Sequence, residues 1–317
     1  MASDGRRSSE SCTSFLDQGR SHGALALAVL AGVLIFAGCE AVSRTAPEDE
    51  GTSRPGSATE WTELIEVQNQ RLGLLDHFTT AGTITIDMRD EQDQMQREQA
   101  DHRIWRGGVS KAAIKISKIG STLVSAAWNG PRWWIFDESG DEVTLRVRSV
   151  GSSATDRGPD RLLAPPILMA MIGFVPFPVG APDDFVSIGG GFRFTLREIA
   201  TGTGTERVVF PGSLEIRVLR PIDGPASVRL FDDSGIEVAR SELTKVDSVD
   251  RIGSAPGAWP RVPHRIEIRR DRGERLVMSF DAPLAGGRIS DRLFDLEAQI
   301  ERSNPVQIDD VRGLEKE

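Results

Sequence analysis

Trp128-Asn-Gly-Pro-Arg-Trp-Trp-Ile-Phe-Asp-Glu-Ser-Gly-Asp-Glu-Val-Thr-Leu145 is the stretch on which the fold turns. Asn129-Gly130 separates two strand-like runs, 123–128 and 132–137. That dipeptide is a strong hairpin signal, because both central residues of a type I′ turn need positive φ. A second turn, Glu138-Ser-Gly-Asp141, leads into Val143-Thr-Leu-Arg-Val147, which alternates with period two. Consecutive strands joined by tight turns, with no helix between them, predict an antiparallel meander.

Upstream, Thr83-Ile-Thr-Ile-Asp-Met88 alternates in the same way, and over 112–118 Ile114 and Ile116 oppose Lys115 and Ser117. The meander therefore holds five or six strands. Before it, Trp61, Leu64, Ile65, Leu72, Leu75 and Phe78 fall on one helical stripe, with Glu60, Glu63, Glu66, Asn69 and Gln70 off it and Thr59 or Ser57 as the cap. After it comes Arg161-Leu-Leu-Ala-Pro-Pro-Ile-Leu-Met-Ala-Met-Ile-Gly-Phe-Val175, which has neither strand alternation nor a polar face. Gly/Pro/Ser-rich flanks at 151–159 and 176–191 set it off as a short helix or lid. Further strands are predicted at 192–198, 214–219, 228–231, 263–269 and 276–280, with hairpin turns at Asp233-Ser-Gly235 and Asp271-Arg-Gly273. From Ser303 the chain reads as a polar, frayed tail, and there is no internal repeat.

This order, together with the opening hairpin, resembles the LolA and LolB superfamily of periplasmic lipoprotein carriers. The corresponding hairpin of that family reads approximately Asp-Gly-x-x-Leu-Trp-x-Tyr-Asp-Pro-x-x-x-x-Val. Val262-Pro-His-Arg-Ile-Glu-Ile268, Leu276-Val-Met-Ser-Phe280 and Ser290-Asp-Arg-Leu-Phe-Asp295 look like its closing strands. The resemblance covers most of residues 60–300; the chain is longer than the usual carriers chiefly over 201–250. It implies a mainly β (α+β) fold: an incomplete antiparallel β-barrel with an N-terminal helix and an apolar helical lid, over a half-barrel cavity that admits acyl chains.

The first 38 residues are laid out as an export signal: Arg6, Arg7 and Arg20 in the n-region, an apolar run over 24–37, then small residues. The run is too short to span a membrane as a helix, which takes about 20 residues. Phe36-Ala37-Gly38-Cys39 resembles the lipobox of bacterial lipoproteins, with Phe36 where the family usually has an aliphatic residue. The resemblance implies acylation of Cys39 with diacylglycerol and cleavage before it. Glu40, in place of an aspartate, favours the outer membrane by the same resemblance. Residues 39–58 have almost nothing to bury and form a flexible tether. The expected organisation is signal peptide 1–38, tether 39–58, carrier-like domain 59–302 and polar tail 303–317.

Composition removes several function classes. The chain of 317 residues carries 38 basic and 47 acidic side chains, a formal charge of −9. The leader holds three of each sign, so the mature chain keeps that charge, which argues against a nucleic-acid partner. Cys12 and Cys39 are the only cysteines. After cleavage and acylation no disulfide is possible, so the core alone holds the fold.

Catalytic and metal signals are sparse. His77, His102 and His264 have no neighbouring His, Cys or paired carboxylate at ligand spacing, and no Gly-x-Ser-x-Gly elbow is present. Gly189-Gly-Gly191 and Gly202-Thr-Gly204 precede no helix and read as turns. Asp137-Glu-Ser-Gly-Asp-Glu142 and Asp232-Asp-Ser-Gly235 read as hairpin turns and not calcium loops. The expectation is a non-enzyme without metal or cofactor. Arg261, His264, Arg265, Arg269, Arg270, Arg272 and Arg275 form a basic cluster that is either a solvated face or a contact for anionic headgroups or an acidic partner.

The candidate ligand contacts are the lid residues Leu162, Leu163, Ile167, Leu168, Met169, Met171, Ile172 and Phe174, with Cys39 as the lipidation site. Two readings of the lid stand. It plugs a closed core, or it lines a cavity and moves aside for acyl chains, where unbranched Met169 and Met171 would repack around varied ligands. The functional expectation is an outer-membrane-anchored lipoprotein that faces the periplasm and binds lipid or the acyl chains of other lipoproteins. The alternatives are a structural or assembly lipoprotein with a closed core, and an envelope hydrolase.

Overall fold

The structure is a computed structural model that describes residues 53–89, 92–149, 164–200, 207–270 and 273–311. The leader, Cys39, most of the tether, Leu162, Leu163, Gly202-Thr-Gly204 and Arg272 lie outside the described residues.

In chain order, strand β1 (Arg54–Pro55) is followed by helix α1 (Ala58–Leu74). Six strands come next: β2 (Phe78–Arg89), β3 (Met95–Arg106), β4 (Lys111–Lys118), β5 (Ser121–Asn129), β6 (Arg132–Asp137) and β7 (Thr144–Ser149). Helix α2 (Pro165–Met171) precedes β8 (Val186–Ile188), β9 (Gly191–Ala200), β10 (Arg207–Val218), β11 (Ser227–Phe231), β12 (Glu237–Ser248), β13 (Asp250–Arg251), β14 (Arg261–Arg270), β15 (Arg275–Ser279) and β16 (Leu284–Ala285). The chain closes with a 3-10 turn (Asp291–Phe294), helix α3 (Leu296–Ser303) and β17 (Gln307–Val311).

All seventeen strands belong to one sheet. Its main run is β1, β8, β9, β10, β11, β12, β14, β15, β2, β3, β4, β5, β6, β7, β17, antiparallel except for the last pair, while the short β13 and β16 pair in parallel beside β2. Two meanders are thus sewn together where β15 meets β2, with Leu276 opposite Ile86 and Met278 opposite Ile84. No ladder among the described residues joins β17 to β1, so the sheet stays unclosed. The fold is the incomplete antiparallel barrel that the sequence predicts.

Ser57 caps α1 through a full capping box with Glu60, whose carboxyl is held down at about 2 by Arg54 and by the Ser57 amide and hydroxyl. The helix buries Trp61, Leu64 and Leu72 against the sheet. Its C-terminal carbonyls receive arginines from elsewhere. Arg106 donates to Leu72 O (3.1 Å) and Leu75 O (2.9 Å), and Arg251 to Leu74 O (3.1 Å). Positive charge there also complements the helix dipole. Phe78, on the predicted helical stripe, instead begins β2.

Helix α2 touches β4 and β5 of one meander and β11 of the other. Five strands separate β11 from β4 in the sheet, so one short helix can reach both only because the sheet curls around it. Pro165 opens α2, and a Schellman motif ends it: Phe174 N donates to Met169 O (2.8 Å) and Gly173 N to Ala170 O (3.0 Å), with Gly173 at φ 88°.

Four local expectations are corrected. Asn129 pairs with Arg132, so the hairpin turns on Gly130-Pro131, and only Gly130 (φ 58°) has positive φ. Asn129 remains in the strand, where its side-chain amide donates to Phe294 O (2.9 Å). Strand β3 carries no alternation in its outer half because that half is exposed on both faces; only His102, Ile104 and Arg106 turn inward fully buried. Strand β12 hides because two of its three inward residues, Ala239 and Ser241, are small or polar, which leaves Leu243 as a lone large apolar group. The tail is polar, yet 307–311 pairs in parallel with β7, tied by Arg148 to Asp309 (3.0 Å).

At the β2/β15 seam a Cβ added to Gly82 would lie 1.9 Å from the Ser279 carbonyl oxygen, whereas one added to Gly189 would meet nothing within 4 Å. Gly82→Ala is expected to lower stability by about 2–3 kcal/mol and Gly189→Ala by less than about 0.5 kcal/mol. Urea midpoints at constant m check this; equal effects would show that the two meanders are not closely joined at Gly82.

Candidate functional site

Alternation along each strand sends one set of side chains into the concave face. Ile84, Ile104, Ile114, Ile116, Val124, Ala126, Trp128 and Ile135 meet α1, the lid and the apolar residues of β9–β14 there in one core. The predicted lid residues that are described all join it. Ile167, Leu168, Met169, Met171, Ile172 and Phe174 are at most 6% exposed. Beyond α2, Phe177 stacks on Trp61 and meets Phe194 edge-on, while Phe174 packs against Phe78 at 5.1 Å. Phe185 completes this aromatic box, 4.9 Å from Trp61.

A polar latch runs through this apolar space. From α1, Gln68 donates to Val175 O (2.8 Å) and Arg71 to Gly173 O (2.5 Å), the two carbonyls just past the lid helix. Arg71 also donates to Gln68 Oε1 (3.1 Å) and to Arg261 O (3.1 Å), which belongs to β14. Burial pulls the Arg71 guanidinium down to about 9; Arg106 pushes the same way and Asp223 opposes it. Gly224 makes room, since a Cβ there would sit 2.5 Å from Arg71 Cζ. Gln68 and Arg71 lie three residues apart on the buried stripe of α1, and two polar residues on an apolar stripe are the signal that could have identified them.

The remaining predicted features take structural places. His102 Nε2 lies 2.8 Å from Ser279 O; burial pushes its pKa below the usual histidine value, with the Ser279 carbonyl, Asp281 and Asp101 opposing. His77 lies at the surface 3.6 Å from Asp76, and His264 is on β14. Asp137 accepts from Ser139 N and Oγ, and Asp232 from Ser234 N and Ile236 N, so both carboxylates serve their turns. Among the described residues no three of His, Cys, Asp and Glu gather as a metal site.

The basic cluster is cross-linked. Glu267 takes Arg265 (3.4 Å), Arg269 (2.9 Å) and Arg275 (2.8 Å), while Arg270 pairs with Glu274 and Arg261 with Asp223. Burial alone would raise the Glu267 carboxyl, but hydrogen bonds from Arg275 and Arg269 hold it below its ordinary value. The cluster therefore reads as a solvated, salt-bridged sheet face. No helix of the described residues is long and apolar enough to cross a membrane.

No protein-family model and no curated protein matches the chain. Solved structures do. A LolA superfamily protein from Nitrosomonas europaea is 15% identical with a TM-score of 0.47, over 73% of this chain and 97% of that one. A DUF1329 family protein from Desulfovibrio piger is 14% identical with a TM-score of 0.46, over 76% and 98%. An outer-membrane lipoprotein-sorting protein domain from Vibrio parahaemolyticus is 9% identical with a TM-score of 0.38, over 76% and 98%.

Arg71→Met keeps the length of the stem but removes the donors to Gly173 O and Arg261 O. The expected loss is about 3 kcal/mol, because buried carbonyls are left unmatched. Amide exchange should quicken in 164–177 before the rest of the core. A uniform rise across the sheet would mean that Arg71 supports the fold without holding the lid.

Proposed function

We propose that this chain is an exported protein of the cell envelope, lipidated at Cys39, that holds the acyl chains of lipids or of other lipoproteins between its curled sheet and the lid. The observation that carries the reading is how the concave space is filled. An unclosed sheet leaves its hollow to a separate segment, 164–177, whose polar ties to α1 are two backbone carbonyls held by Gln68 and Arg71. Lifting that segment exchanges apolar contacts for apolar contacts if acyl chains take its place, at about 0.8 kcal/mol per buried methylene before ordering costs. The freed carbonyls would pass to water. Directed polar chemistry is not needed for such cargo, in keeping with the absence of a catalytic constellation from the sequence signals.

The second reading, a structural or assembly lipoprotein with a permanently closed core, draws on the near-complete burial of the same lid side chains. Uptake experiments separate the two. Delipidated protein lacking the leader should take up phospholipid or an N-acylated peptide by native mass spectrometry, and Arg71→Met should take it up faster. Failure of both proteins to bind either ligand favours the closed core and sinks the carrier reading. Independently, Cys39→Ser should move the full-length protein from the membrane to the soluble fraction; unchanged fractionation would sink the anchor.

A further inference from the structure

The convex side of the first meander carries a second, smaller core. Ala113, Ala127, Trp134, Phe136, Leu145 and Val147 face outward and are covered by Phe294 and Leu296, so the segment 291–303 lies across the sheet as a strap. The strap is fixed by Asn129 to Phe294 O and by Lys111 to Asp291 (3.4 Å). Beside it a groove of about 570 Å³ remains, within the ~300–1,000 Å³ of small-molecule sites.

Register explains its shape and charge. One cross-strand row reads Thr79, Trp105, Ala113, Ala127, Trp134. Two alanines between two tryptophans leave a trough where larger side chains would have filled the surface. The next row reads Ala81, Arg103, Lys115, Ser125, Phe136, which sets two cations directly opposite each other on β3 and β4. Like charges in that position destabilise a sheet.

Several outward cations of the sheet have carboxylates: Arg97 has Asp87, Lys118 has Glu98, and Arg229 has Glu215 and Glu237. Arg103 and Lys115 have none among the described residues; Arg103 sits 5.8 Å over the Trp105 ring. Arg302 of α3 lines the groove from the strap, while Asp101 and Asp281 also line it. Three cations against two carboxylates leave a single net positive charge.

We propose that this groove binds a singly charged anionic amphiphile, its head group between Arg103 and Lys115 and its apolar body along Trp105 and Leu293 of the strap. An anion there relieves the repulsion between the two cations, and the partly buried Trp105 and Leu293 offer the chain an apolar wall. The site is on the opposite face of the sheet from the lid and is independent of the acyl-carrier reading.

Bromododecanoate serves as the probe, because bromine quenches tryptophan fluorescence at close range. It should quench the protein, and Trp105→Phe should remove much of that quenching. Arg103→Gln should weaken binding about tenfold or more, as expected for one charge-assisted contact, and the double variant with Lys115→Gln should abolish it. The double variant should unfold at a urea concentration no lower than the parent, which shows that lost binding is not lost fold. Dodecyl maltoside, with the same chain and no charge, and inorganic phosphate, with charge and no chain, should bind far more weakly. Equal binding of either overturns the proposal, as does quenching that survives both Trp105→Phe and the double variant. That last result would place the chain outside the groove, beside another tryptophan, leaving the carrier reading intact.

Discussion

A fully buried guanidinium with only uncharged acceptors is the constraint around which the rest is arranged. Arg71 reaches Gln68 on its own helix, Gly173 beyond the lid and Arg261 at the start of β14. Taking such a charge out of water is costly, and the cost is tolerable only while every donor direction is met. The three partners must therefore arrive together: α1, the lid and the second meander have to be in place at once. The fit extends to Gly224, where no side chain could sit, and to Asp223, whose carboxylate favours the charge of Arg71 while bonded to Arg261 at 2.6 Å. A sheet that does not close on itself is thus held in its curl from the inside, by one side chain and the helix that carries it.

Much of this was legible in the sequence, and what was not has identifiable causes. Strands with one wet face announce themselves by alternation, as 83–88 and 112–118 do. Strands β3 and β12 do not, one because half of it stands clear of the molecule, the other because Leu243 is the one large apolar residue of its inward set. The lid was visible through composition, since ten large apolar residues between strands need somewhere to go. Its latch was not, because Gln68 and Arg71 stand out as polar on an apolar stripe but the stripe does not say which carbonyls they meet until the lid is placed. The continuous run Trp133-Trp-Ile-Phe136 did hold a further message: a strand apolar at every position is buried on both faces, so a second core was implied on the outer side. Lacking that inference, the segment 290–295, expected as a closing strand, could not be recognised as the 3-10 turn that opens the covering strap.

The two meanders differ in how they manage charge on the outer face of the sheet. On the second meander, arginines outnumber acids locally, yet Arg265, Arg269 and Arg275 all reach Glu267, so each of the three has a carboxylate partner. The first meander leaves Arg103 and Lys115 facing each other beside a trough. Arginine abundance alone, a property of the whole chain, would have marked the first of these patches and passed over the second; pairing distinguishes them.

The sheet's two free edges have a consequence of their own. A curled sheet that stops short of closure exposes unpaired backbone at both ends, which is the usual template for another chain to add a strand. Here one end is β1, two residues long with Pro55 in it, and the other is β17, whose sequence includes Asp309 and Asp310. Proline offers no amide to a newcomer, so the β1 edge gives a second copy little to pair with. The opening can therefore persist at that end without inviting polymerisation through it.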